Sequence, residues 1–372
     1  MTIKRFIFLI LFYLVWPLWG VVLWISFALD YILFPGFEKT PTQKPLFILG
    51  NYRSGSTYLQ RMIALDPQFT SPTTWDIFIS PSITLSKVFS FLRKIDNALG
   101  GLVLKTIKKI DALTLGRVDI HKISFFDPEE DENFLLHIWS TSFACTMFPF
   151  IKEFTPYLYF DKKIGETHKS KIMRFYRSCM NRHMHANPHS MYYLSKNPSF
   201  SPKIGSIYKY FPDARIIYLV RNPLEMLPST ISWWSYLWHT FSDPLEKYPN
   251  VEEMMRFTKH WYQYPLEVLE SKDPESYLIL EYDSLIQDTK AVVKTIYKKF
   301  GYQITQDFLQ RLDETVEESS KYHSSHKYSL DEMGLTSSQI LDEYKPVFDR
   351  FKFKTDPGGI RSKKLPDESL LD

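Results

Sequence analysis

Two cysteines in 372 residues, Cys145 and Cys179, leave no material for a disulfide framework. They form no C-x-x-C pair, and no histidines stand at metal-ligand spacing, so no metal site is expected and both cysteines read as small buried hydrophobes. A glycosylation acceptor is also missing, because Asn197 is followed by proline. Excess charge is scarce: 45 basic and 42 acidic residues give no polycation. That excludes nucleic acid as the implied partner and requires any anionic ligand to be held by a local cluster. Repeats, low-complexity linkers and composition breaks are absent from residue 45 onward, so one large domain is the economical reading.

Charge is missing altogether from Phe6 to Leu29. As a helix those residues would reach about 36 Å, enough to cross a bilayer and too long for the apolar region of a cleavable leader. Residues 1–40 are therefore read as a retained membrane anchor and 41–372 as the main domain. Tyr13, Trp16, Trp19 and Trp24 are placed like interfacial anchors. Trp16-Pro17-Leu18-Trp19-Gly20 interrupts the run, and Lys4 and Arg5 before it are matched by Lys39, Lys44 and Arg53 after it. A kinked span, a re-entrant hairpin and an in-plane helix all remain open. The missing disulfides and glycosylation acceptor favour a cytosolic main domain, with an anchored protein facing the Golgi lumen as the alternative.

Beyond the anchor, β-like and helical patterns alternate. Strands are expected at Pro45–Leu49, Met191–Ser195, Ala214–Val220 and Tyr277–Glu281. Helices are expected at Thr57–Leu65, Lys169–His183, Val251–Leu269 and Ser284–Phe300. This predicts an α/β fold, a central parallel sheet flanked by helices, with ligands at the C-terminal strand edges.

At the first such edge lies Gly50-Asn-Tyr-Arg53-Ser54-Gly55-Ser56-Thr57. Strand, glycine turn and helix start would aim N–H groups and a helix dipole at one point, where a phosphate fits. The spacing is that of G-x-x-x-x-G-K-[ST], but the lysine position is Ser56 and the nearby cation is Arg53. Such a loop suits a nucleoside triphosphate poorly. A second strand end carries Arg221-Asn-Pro, with Ser229 eight residues on; a guanidinium fork and a hydroxyl are donors suited to another phosphate.

Two anion sites on one sheet point to a nucleoside with phosphates at both ends. In these motifs the chain resembles the PAPS-dependent sulfotransferases, the broad group that includes bacterial and tyrosylprotein-sulfotransferase-like members, from about Pro45 to Phe353. The resemblance implies a P-loop-like sulfotransferase fold. It implies transfer of a sulfuryl group from 3′-phosphoadenosine-5′-phosphosulfate (PAPS) to an acceptor hydroxyl or amine, without a metal. Arg53, Ser54, Gly55, Ser56 and Thr57 match the 5′-phosphosulfate loop, and Arg221 with Ser229 the 3′-phosphate motif. Tyr282 in Glu281-Tyr-Asp-Ser-Leu285 matches a tyrosine against the adenine. Ser325-His326-Lys327-Tyr-Ser329 resembles the segment that closes over the nucleotide.

Lys196 matches a family lysine near the transferring group. For the base, Asp76 occupies a carboxylate position about twenty residues after the loop, where the family usually has glutamate; a helix-capping role is the alternative. Many relatives carry histidine four residues after the lysine, where this chain has Phe200. Glu130, in the acidic run 127–132, could bind or deprotonate the acceptor, or merely compensate a helix dipole. Trp233, Trp234 and Trp238 are pocket or core aromatics. An anchored enzyme makes a lipid, glycolipid or other membrane-near acceptor the natural expectation, with a homodimer left open. A P-loop kinase or NTPase, and a membrane scaffold that kept the fold without the chemistry, are the competing readings.

Overall fold

The computed structural model describes residues 2–113, 124–148, 151–242, 244–320 and 329–355. It begins with α1 (Ile3–Leu33), followed by β1 (Leu46–Gly50), α2 (Ser56–Ala64), β2 (Phe69–Thr70) and α3 (Thr74–Phe78). Next come α4 (Ile83–Ala98), α5 (Leu102–Leu113), a 3-10 stretch at Asp131–Ile138, α6 (Ile151–Leu158), α7 (Phe160–Lys163) and α8 (Glu166–Ala186). The remainder runs through β3 (Tyr192–Lys196), α9 (Ile204–Tyr210), β4 (Arg215–Val220), α10 (Pro223–Phe241), α11 (Val251–Leu269) and β5 (Tyr277–Glu281). It continues with α12 (Tyr282–Gln287), α13 (Thr289–Phe300), α14 (Gln306–Ser320), α15 (Ser337–Glu343) and α16 (Lys345–Phe351).

The sheet is parallel, in the order β2-β3-β1-β4-β5. Its central strands are apolar on both faces because both are covered, as parallel sheets require. Phe47 and Leu49 of β1 join Ile216, Tyr218 and Val220 of β4 in the core under α10 and α11. Leu46 and Ile48 join Ile217 and Leu219 on the other face, under α2 and α13. Cys145 and Cys179 are free and buried. Trp234 and Trp238 are core: Trp234 packs on Tyr52 and Phe257, and the Trp238 indole donates to Cys145 O at 2.9 Å.

All four expected strands form, within a residue or two. β2 was missed because two residues carry no period. The expected helix Ser284–Phe300 is two helices. Asp288 leaves helical geometry at φ −150° and caps α13 by accepting from Ala291 N–H at 2.8 Å, the competition that makes aspartate a helix start rather than a helix interior.

The N-terminal run is one continuous helix, not a hairpin. Pro17 lies inside it, a position that removes one backbone bond and costs about 3 kcal/mol in isolation. Side-chain contacts hold both sides of the proline: Trp16 stacks on His137, and the Trp19 indole donates to Phe78 O at 2.9 Å. At the C-terminal end the buried Asp30 carboxylate accepts from Arg182 at 2.8 Å and from the N–H groups of Ile83 and Thr84.

Candidate active site

β1 leaves the sheet at Gly50, whose φ is +148°; a Cβ there would stand 2.5 Å from Leu219 O of β4, so glycine alone fits. Ser201 clamps the exit, its Oγ donating to Gly50 O at 2.7 Å. The chain then turns through Arg53, at φ 63°, and Gly55, at φ 85°, and enters α2. Gly55 caps α2 with no side chain, leaving the first N–H groups of the helix without a capping side chain. The Ser54 hydroxyl is buried with no hydrogen-bond partner among the described residues. A strained turn, uncapped helix N–H groups and an unpartnered buried hydroxyl together form a cradle whose donors point to an anion.

The second motif closes on the first. Arg53 Nε donates to Ser229 Oγ at 3.1 Å, and Arg221 Nη1 donates to Arg53 O at 2.8 Å. Arg221 is buried and also pairs with Glu225 at 2.9 Å, while its guanidinium lies 4.0 Å over the Tyr282 ring. Burial opposes its charge, but Tyr282 and Glu225 outweigh that and hold its pKa above the ordinary value. Tyr282 also packs against the loop: a Cβ on Gly55 would meet its ring at 3.1 Å. Thus Arg53, Ser54, Gly55, Ser56, Thr57, Arg221, Ser229 and Tyr282 occupy one strand edge. His326 and Lys327 lie outside the described residues.

A third strand end lies on β3, the strand next to β1, where Lys196 pairs in register with Ile48. Lys196, at the end of β3, is 1% exposed and its Nζ stands 3.0 Å from Glu130 Oε1. The acidic run beginning at Asp127 is therefore not a solvated first turn. Four of its five carboxylates reach separate partners outside the run, while Glu129 accepts the N–H of Glu130 at 2.9 Å. Asp127 pairs with Arg61 of α2 at 3.1 Å. Asp131 is fully buried and accepts from Tyr193, Ser195, Tyr176 and Asn197; burial raises its pKa against the pull of those donors. Glu132 pairs with buried Lys203 and accepts from Ser199, and its N–H donates to Asn197 at 2.9 Å. These bonds tie the start of the 3-10 stretch to the end of β3 and fix the adjacent Glu130 against Lys196.

Asp76 is engaged differently. It is the third residue of α3, and its Oδ2 accepts from Thr73 N–H at 3.0 Å and Thr73 Oγ1 at 2.8 Å, a reciprocal capping box. The capping alternative describes those bonds. Phe200 is fully buried against Phe47 and Tyr176, and so belongs to the core. Sequence reasoning missed Asp131, Glu132, Asn197 and Lys203. Their signal lay in two unremarkable strings, an acidic run and residues 196–203, whose pairing across 66 to 71 residues no local pattern records. Among the described residues no group of three or more His, Cys, Asp or Glu is placed to hold a metal ion.

A parallel α/β sheet with a glycine turn into a helix after β1, and a buried arginine after β4, is a P-loop-like fold. Residues 45–307 match the model of the sulfotransferase family, and the chain belongs to that family. It is 23% identical over 327 residues to the omega-hydroxy-beta-dihydromenaquinone-9 sulfotransferase Stf3 of Mycobacterium bovis, covering 85% of this chain and 77% of that one. The same fold occurs in sulfotransferase STF9 of Mycobacterium avium, with TM-score 0.69 and 20% identity over 88% of this chain and 82% of that one. Sulfotransferase STF1 of Mycobacterium tuberculosis gives TM-score 0.67 and 16% identity over 88% and 83%.

Proposed function

We propose that this chain transfers a sulfuryl group from PAPS to a hydroxyl of a lipid or other membrane-near acceptor. The observation that carries the reading is the joining of two distant anion motifs, Arg53 Nε on Ser229 Oγ and Arg221 on Arg53 O. The donors suit the nucleotide: the uncapped N–H groups of α2, the Ser54 hydroxyl and Arg53 for its 5′ end, Arg221 and Ser229 for its 3′ phosphate, Tyr282 for its base. Position 56, serine rather than lysine, weighs against a kinase.

When bound, the nucleotide supplies an activated sulfuryl group. Arg53 and the N–H groups opening α2 bind the 5′ phosphate oxygens and neutralise the charge that grows there as the bond breaks. Lys196, at the end of the strand next to β1, would share that task. Glu130, more open than Lys196 at 17% side-chain exposure against 1%, takes the acceptor's proton. Asp76, held in its capping box, is the weaker candidate for that role. The buried frame of Asp131, Glu132, Asn197 and Lys203 keeps Glu130 in register and touches no reacting atom.

The lipid acceptor is supported by the name of the mycobacterial relative, which acts on a hydroxylated menaquinone, and by α1, which is long and apolar enough to cross a membrane. α1 supports membrane association, and the free cysteines fit a cytosolic main domain. Calorimetry with 3′-phosphoadenosine 5′-phosphate tests the site. Arg53→Ala and Arg221→Ala should each weaken binding by roughly 10- to 100-fold, the range for a lost hydrogen bond to a charged group. Unchanged affinity in both would sink the reading, and tight binding without transfer to any lipid pool would favour the scaffold.

A further inference from the structure

Both ends and the middle of α1 are bonded to the main domain. At the N-terminal end Arg5 donates to the carbonyls of Phe241 and, at 2.6 Å, Met147. In the middle, Phe12 and Trp16 pack on Trp139, and Trp19 bonds Phe78 O. At the C-terminal end Asp30 is paired with Arg182. Arg5 and Asp30 are about 38 Å apart along a straight helix, more than the roughly 30 Å thickness of a bilayer core. A helix crossing the membrane would carry these domain partners into the hydrocarbon or lose them. A helix lying along the domain keeps all of them and turns its other face outward, and that face is apolar: Phe6, Leu14, Leu18 and Ile25 are each at least half exposed.

The α4–α5 hairpin continues this surface, since α1 packs against α4. Of α4, only Ile83 in its first turn is buried, and of α5 only Asp111. Helices this short need a covered apolar face, yet Phe91, Leu92, Ile95, Leu99, Leu102 and Val103 stand 42–73% exposed. Residues 83–113 also carry six basic side chains against two acidic ones. Their excess of four exceeds the +3 of the whole chain. The two acids are turned inward: Asp96 accepts from Val103 and Leu104 N–H, and Asp111 from Ser124 and Phe125. An apolar face flanked by lysine and arginine matches an anionic bilayer surface in both area and charge.

We infer that α1 lies in the plane of an anionic bilayer and that α4–α5 is a second, electrostatic docking element on the same face, so the domain is held on one side of the membrane. The inference rests on the reading of this chain as a membrane-associated sulfotransferase and specifies how it is attached. The test uses the full chain reconstituted in vesicles, with a fluorophore at Leu18→Cys, Leu99→Cys or, as a control, Leu245→Cys, and quenchers fixed at different depths in the lipid. Leu18 and Leu99 labels should both sit at the headgroup boundary, with the Leu245 label in water. A Leu18 label at the bilayer centre would overturn the inference. So would a Leu99 label that stays in water, or one shielded by self-association without vesicles. Lys105→Glu with Lys108→Glu and Lys109→Glu should lower affinity for vesicles containing phosphatidylglycerol by at least about tenfold, while leaving the weak affinity for pure phosphatidylcholine unchanged. Equal loss on both lipids would also overturn the charge role. Nucleotide calorimetry on the same samples separates this outcome from failure of the catalytic reading.

Discussion

The basic residues of the strand edge and those of α4–α5 are used in opposite ways. At the strand edge Lys196 and Arg221 are buried, Arg53 is half-buried, and each is fixed by a named partner. Along α4–α5 the cations Lys87, Arg93, Lys94 and Lys105 stand on an exposed, apolar pair of helices. Burial and pinning cost desolvation, which is offset only when the ligand presents the right oxygens at the right points, so the result is specificity. Exposed lysines cost nothing to keep and act by summed field, so they hold any anionic surface weakly and lose it in salt. One chain with almost no net charge thus keeps a pinned set of cations and an exposed set apart.

The largest effect is expected where a fixed ion pair meets chemistry. Glu130→Gln keeps the shape and removes the proposed base; it should lower the single-turnover rate by roughly 10²- to 10⁴-fold with nucleotide affinity little changed. Asp76→Asn measured beside it should cost far less in rate, showing instead as a stability loss of about 1 kcal/mol from the weakened cap. The reverse ranking would move the base to α3.

Next in size is the buried pair that fixes the end of α1. Arg182→Met leaves the Asp30 carboxylate buried without its cation and should destabilise the chain by about 3–5 kcal/mol in urea unfolding. Lys108→Ala on the exposed hairpin should change stability by less than about 0.5 kcal/mol. Equal effects would erase the contrast between pinned and exposed cations.

The smallest effect is a pH dependence. His260 packs between Tyr159 and Tyr264, and burial, with Lys162 and Lys163 beside it, pushes its pKa down to about 4 from 6.5. A lowered histidine pKa means that the folded state disfavours the proton. Its contribution is whole above pH 6.5 and is lost as pH falls from 6.5 toward 4. His260→Phe should flatten the fall of the urea midpoint across that window; an unchanged slope would assign the acid loss to other groups, such as buried His137, whose pKa burial also lowers.

Much of this was legible in the sequence, because local rules set it. Apolar runs of strand length marked β1, β3, β4 and β5, and their separation by helices required a parallel sheet. Gly50, Arg53 and Gly55 announced a tight turn from strand into helix, and Arg221 a cation at a second strand end, since strand ends and helix starts are positions that spacing alone defines. The length and apolarity of α1 were equally plain. Tertiary structure decided what depends on partners far away in sequence: that Arg53 bonds Ser229, that the acidic run disperses onto Lys196, Arg61 and Lys203, and that Asp76 caps a helix. It also decided that α1 runs unbroken through Pro17 along the domain, because side-chain contacts on both sides outweigh the local cost of the proline. A chain pattern fixes which groups are charged or apolar; only packing fixes which of them meet.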